Sequence, residues 1–146
     1  MTPLTIGDRL ISLELLDLNE QIHDLKEYLG NHLLISFWSM RCFSCMKAAK
    51  DLKVLHETLS DKLTIVGINM DTQKGLWEQG TSRDAIAWPN LSDLKGFSDG
   101  AGKEFGITGY PAYVLVNVEG IIVDRWMGYK PGRIEEKVKA QLNNPT

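Results

Sequence analysis

The chain has 146 residues, enough for one domain to bury a hydrophobic core without staples. With 43% hydrophobic and 24% charged residues and a formal net charge of -3, it offers no electrostatic footing for nucleic acid or an anionic membrane, and neither is expected as a partner. Two cysteines cannot build the framework of a disulfide-stapled secreted domain, so a redox or metal role fits them better than a structural one.

The opening residues, Met1-Thr2-Pro3-Leu4-Thr5-Ile6-Gly7-Asp8-Arg9, lack the basic and apolar segments of a signal peptide, and no run reaches the length of a membrane span. As it stands the sequence reads as a soluble, cytoplasmic protein. An exported or membrane-anchored domain with its signal trimmed would look the same. Leu10 to Leu16 then reads as an extended segment, and Ile22, Leu25 and Leu29 recur at helical spacing until Gly30-Asn31 stops them. His32-Leu33-Leu34-Ile35-Ser36-Phe37-Trp38 is a nearly continuous apolar run, the pattern of a central strand buried on both faces.

Ala48, Ala49, Leu52, Leu55 and Leu59 follow at three- and four-residue steps, with Lys47, Lys50, Asp51, Lys53 and Glu57 opposite, which predicts an amphipathic helix. Leu63 to Met70 is a second buried strand, and the strand-helix-strand order implies parallel strands with a right-handed crossover. From Asp71 to Gly106 the pattern is mixed. It predicts helices over 75–79, 82–87 and 101–105, with a break at Trp88-Pro89, and reads as an insertion more than a linker. Tyr113 to Val118 and Ile121 to Trp126 flank Glu119-Gly120 as an antiparallel hairpin, and Pro131-Gly132-Arg133 opens a last helix with Ile134, Val138 and Leu142 inward. One domain over 1–146 is expected.

Both cysteines fall where the first buried strand gives way to the helix. Positions i and i+3 in a first helical turn lie on one face, close enough for a disulfide that opens and closes. At the helix N-terminus, unpaired N–H groups and the dipole favour a thiolate on Cys42, with Arg41 adding to that; Cys45, one turn in, suits a resolving thiol. Zinc would need two further ligands, and the only downstream histidine is His56, so no metal is expected. Covalent haem is disfavoured because Met46 stands where the attachment motif needs histidine. His23, His32 and His56 read as isolated surface or helix-face residues, Trp77, Trp88 and Trp126 as packing residues, and Lys103 and Glu104 as a solvated face.

The segment Phe37-Trp38-Ser39-x-x-Cys42-x-x-Cys45 resembles the active-site strand and turn of thioredoxin-like thiol-disulfide oxidoreductases. Phe105-Gly106-Ile107-Thr108-Gly109-Tyr110-Pro111-Ala112 looks like that family's approach to its cis-proline. Gly7-Asp8, the Trp88-Pro89 region and the hairpin at Glu119-Gly120 are similar to the TlpA/ResA-like branch of the AhpC/TSA–redoxin superfamily, over nearly the whole chain from Ile6 to Leu142. The resemblance implies an α/β thioredoxin fold: a central mixed sheet flanked by helices, with an N-terminal extension and an insertion before the cis-proline. It also implies disulfide exchange with a protein partner through Cys42 and Cys45, an upstream redox partner, no cofactor beyond the redox-active Cys42-Cys45 disulfide, and a monomer. Trp38, Arg41, Phe43, Ser44, Tyr110 and Pro111 become the residues expected around the substrate, Trp38 serving equally well as a core residue. A cis Tyr110-Pro111 bond would present main-chain groups of Tyr110 to an extended substrate segment.

The chain also departs from the family. Ser36 and Ala48 occupy the positions where relatives carry the Asp or Glu that accepts the resolving thiol's proton. Arg41 replaces a common Trp, Lys50 a helix-kinking Pro, and Phe43-Ser44 matches neither the Gly-Pro nor the Pro-His pair of better-known members. Two other readings follow. One is a peroxiredoxin-like thiol peroxidase, against which Ile35 and Ser39 stand in place of the usual Pro and Thr. The other is a non-catalytic thioredoxin-fold module that binds or senses redox state.

Overall fold

The apolar run in the first half of the chain decides where the sheet lies. In the computed structural model, which describes residues 2–143, the elements in chain order are β1 (Glu14–Leu16), β2 (Ile22–Asp24), β3 (His32–Trp38), α1 (Phe43–Thr58), β4 (Leu63–Asn69), α2 (Lys74–Arg83), β5 (Asn90–Leu91), α3 (Gly100–Glu104), β6 (Ala112–Val116), β7 (Ile122–Met127) and α4 (Arg133–Leu142). Met1 and residues 144–146 of the expected 1–146 domain lie outside the described residues. β3 is central in a five-stranded sheet of order β5-β4-β3-β6-β7, parallel to β4 and antiparallel to β6. β4 to β5 is parallel and β6 to β7 antiparallel, so the sheet is mixed, as expected.

Period two divides the core. Leu33, Ile35 and Phe37 pack with Leu10, Leu15, Phe105 and Val114 on one face. Leu34 packs on the other with Leu52 and Leu55 of α1, Tyr113, and Ile134 and Val138 of α4. Ser36 and Trp38 share the face of Leu34, beneath α1. Each fully buried leucine or isoleucine in these layers contributes about 2 kcal/mol of transfer free energy. Trp77 and Trp88 are buried, Trp126 stacks on Tyr113 at 5.2 Å between ring centroids, and Lys103 is exposed. Among the described residues, no helix is long and apolar enough to cross a membrane.

Three sequence readings are corrected. The helix expected over Ile22, Leu25 and Leu29 is instead strand β2, paired antiparallel with β1, followed by a 3₁₀ turn over Leu25–Tyr28. Ile22 is 66% exposed while Leu25 is fully buried, so the three residues never share a face. Local side-chain bonds override the spacing: the Asp17 carboxylate accepts from the Asn19 and Gln21 N–H groups, and that of Asp24 accepts from Lys26 N–H. Nor is His23 isolated. It bonds Asp17 and reaches Glu27, and the hydrogen bond to Asp17 raises it above the ordinary imidazole range. Thirdly, the helices expected over 75–79 and 82–87 are one helix, α2, which stops at Arg83, and a short edge strand, β5, follows.

Candidate active site

β3 ends at Trp38, and the chain must turn within three residues to start α1. A buried carboxylate shapes that turn. Asp71, just beyond the end of β4, accepts hydrogen bonds from Ser39 Oγ (2.8 Å), Met40 N–H (2.9 Å) and Asn69 Nδ2 (2.8 Å), while its own N–H donates to Asn69 Oδ1. Ser39 Oγ in turn accepts from Arg41 N–H at 3.2 Å. Parallel pairing puts the ends of β3 and β4 side by side, Trp38 opposite Asn69, which is why residues 32 apart meet here.

Cys42 is the N-cap of α1, with extended φ/ψ, and its Sγ accepts from Cys45 N–H at 3.0 Å. The two cysteines form a disulfide, with Cα atoms 5.2 Å apart. Cys42 is 7% exposed and Cys45 3%. The first turn of α1 holds no acidic residue to oppose a negative charge at its N-terminus.

The other expected site residues take different places around this pair. Trp38, 4% exposed, lies beneath it in one cluster with both cysteines and Trp77, and Tyr110 packs against that cluster. Pro111 follows a cis peptide bond and is buried, lining with Cys45, Ser36 and Ala48 a small cavity of about 10 Å³. Arg41 and Tyr110 line an open groove of about 430 Å³ together with Phe97, whose ring stacks on Tyr110 at 5.5 Å and 4°. Phe43, 70% exposed, faces a separate cleft along α1, with Lys47 Nζ 5.2 Å from its ring centroid. Ser44 is half-buried in the first turn of α1. Among the described residues, no group of three or more His, Cys, Asp or Glu is placed to hold a metal ion.

Residues 6–125 match the AhpC/TSA family. The chain belongs to that family. Its fold is that of solved thioredoxin-like structures. The thioredoxin domain of a thiol-disulfide oxidoreductase from Bacteroides vulgatus superposes with a TM-score of 0.82 at 23% identity, covering 96% of this chain and 99% of that one. A thiol-disulfide oxidoreductase from Bacteroides fragilis gives 0.80 at 21%, covering 92% and 99%. A cysteine-to-serine mutant of PrxQ from Xylella fastidiosa gives 0.79 at 19%, covering 97% and 99%. At these identities it is the fold that is shared. No curated protein sequence matches the chain.

In this AhpC/TSA chain, α2 closes over the dithiol turn because Gly80 lacks a side chain. A Cβ there would stand 2.7 Å from Cζ3 of the Trp38 ring and 3.1 Å from the Met40 Cα, neither of which can move freely. Overpacking of this kind costs about 1–3 kcal/mol, against about 1 kcal/mol that alanine gains over glycine in a helix. Gly80→Ala is therefore expected to destabilise by about 1 kcal/mol, read by thermal melting, and to alter the near-ultraviolet dichroism of Trp38. A stabilised variant with an unchanged spectrum would contradict this packing.

The sequence reading passed over Asp71, Phe97 and Gly80. Asp71 had one usable signal: Asn69-Met70-Asp71 places polar residues directly at the carboxyl end of a buried parallel strand, where open α/β sheets put their sites. Nothing local marks Phe97 or Gly80.

Proposed function

We infer that the protein is an enzyme that exchanges disulfides with a protein partner, Cys42 carrying the substrate sulfur and Cys45 resolving the mixed disulfide. The observation that carries this reading is the N-cap placement of Cys42, whose Sγ accepts the Cys45 N–H while standing within bonding reach of Cys45 Sγ. In the reduced state the same N–H and the positive end of a 16-residue helix would favour the thiolate on Cys42, as needed of a nucleophile and of a leaving group. Attack on a substrate disulfide joins Cys42 Sγ to one substrate sulfur and releases the other as a thiol. Cys45 then attacks Cys42 Sγ, closes the Cys42–Cys45 bond and releases the second. Two electrons pass from the dithiol to the substrate, and a dithiol partner upstream restores the reduced pair.

In this reading the groove between Arg41, Phe97 and Tyr110 receives an extended substrate segment, beside Pro111 and the Tyr110 main chain. Phe43 and Ser44 border the cysteines on the other side, and Trp38 is the floor that holds them. No metal or further cofactor enters the exchange, and a monomer suffices for it. The test is catalysed reduction of insulin disulfides by dithiothreitol. Turnover above the rate of free dithiothreitol, abolished in the Cys42→Ser/Cys45→Ser double variant, is expected. Catalysis that survives the double variant, or a reduced dithiol that reacts with hydrogen peroxide as fast as a dedicated peroxidase, would overturn the reading.

A further inference from the structure

Resolution of a mixed disulfide requires Cys45, 3% exposed, to lose a proton. Ser36 and Ala48, beside it in the same cavity, offer no carboxylate. A carboxylate nevertheless lines that cavity. Asp84, from the end of α2, reaches it with a side chain only 2% exposed.

We propose that Asp84 is the group that takes the Cys45 proton when Cys45 attacks the mixed disulfide on Cys42. The proposal rests on the thiol-disulfide reading and supplies the acid-base partner that reading lacks. Of the other residues lining the cavity, only Tyr113 titrates, and burial raises its phenol well above the ordinary range, so it stays neutral. Asp84 is fixed rather than loose. It caps the C-terminus of α2, where Ala85 at φ 51° lets Ala85 N–H bond Ser82 C=O and Ile86 N–H bond Thr81 C=O, the Schellman closure of a helix. A carboxylate there opposes the helix dipole, and the Arg83 guanidinium offsets this by donating from Nε to Oδ1 at 2.8 Å and from Nη2 to Oδ2 at 3.2 Å. Arg83 Nη1 also bonds Met40 C=O, tying the carboxylate to the turn that carries the dithiol.

Cys45 and Asp84 line the same cavity of about 10 Å³, room for about one water that could carry a proton between groups facing it. Asp84 also borders the outer cleft along α1, whose charged groups are Lys47, Lys50, Lys53 and Arg83, and so stands between Cys45 and solvent. In the step, the Cys45 S–H proton passes to the Asp84 carboxylate. The Cys45 sulfur bonds Cys42 Sγ, the bond from Cys42 to the substrate sulfur breaks, and the departing thiolate is protonated from solvent. Asp84 returns its proton through the outer cleft. A carboxylate is a far better base than water, and a positioned general base contributes on the order of 10²-fold or more.

The test is single-turnover resolution of a Cys42 mixed disulfide, made with a peptide thiol, in unaltered protein and in Asp84→Asn, which keeps an oxygen for Arg83. Asp84→Asn is expected to resolve about a hundredfold more slowly at pH 7 and to regain rate as pH rises and hydroxide takes the Cys45 proton directly. Alkylation of Cys42 in the reduced protein should not change. Equal resolution rates, or a deficit that persists unchanged at high pH, would overturn the proposal, the latter pointing to a structural defect. Should Asp84→Asn fail to fold, Cys42→Ser with Asp84 intact gives a second readout. The Cys45 Cβ chemical shift should show an acidic step from the carboxylate beside the thiol's own step, and a single step would overturn the proposal. An unaltered protein with no exchange activity at all would overturn the thiol-disulfide reading first, an outcome distinct from normal exchange that ignores Asp84.

Discussion

Cys45→Ser should turn the protein into a stoichiometric trap: the partner's sulfur stays on Cys42 as a mixed disulfide that survives gel electrophoresis without reductant. Cys42→Ser should instead lower turnover by on the order of 10³-fold or more and trap nothing. The asymmetry follows from the helix terminus. Only Cys42 is the N-cap, and it is the more exposed of the two buried cysteines, at 7% against 3%. Cys45 lies within the first turn, against Trp38 and the small cavity, and on the proposed reading it is engaged only after Cys42. Mass spectrometry of the trapped species reads both variants. A mixed disulfide found on Cys45 in Cys42→Ser, at the yield seen on Cys42 in the converse variant, would refute the assignment of roles.

Asp71→Ala is expected to cost about 3 kcal/mol, lowering the melting temperature by about 10 °C. Asp71 is 6% exposed and accepts from Ser39 Oγ, Met40 N–H and Asn69 Nδ2. Alanine leaves Ser39 and Asn69 as buried donors without their acceptor, and that desolvation cost exceeds what is recovered by no longer burying the carboxylate. Asp71→Asn retains the shape and one acceptor oxygen, and should lose about half as much. Because the same carboxylate holds the turn between β3 and Cys42, Asp71→Ala should also slow alkylation of Cys42 measured below its melting range. A variant melting within a degree of the unaltered protein would show that the turn is held by something else.

Much of this was legible in the chain. The buried runs at 32–38 and 63–70 and the spacing of Ala48, Leu52 and Leu55 give a parallel strand-helix-strand unit, because a strand covered on both faces has little choice of composition. The helix predicted over Ile22 to Leu29 failed for a definite reason. Three apolar residues in eight positions fit a helix, but Asp17 and Asp24 bond main-chain N–H groups and close turns that no apolar period reveals. The split of α2 into two expected helices failed similarly, since the stop is set by Ala85 in a left-handed conformation, which alanine does not advertise.

The site divides along the same line. By itself the sequence determined the dithiol and its place at a strand-to-helix junction, because the cysteines are three apart and the apolar runs on either side fix local structure; Pro111 as the opposing residue came only through the family resemblance. The sequence also established that Ser36 and Ala48 carry no carboxylate. Only the tertiary structure decided what else stands there. Asp71 reaches the turn because parallel pairing aligns the ends of β3 and β4, and Asp84 reaches the cavity because Gly80 lets α2 press onto Trp38 and Met40. Those contacts join residues 31 or more positions apart, and their physical cause is the packing of whole elements, which no local pattern of side chains encodes.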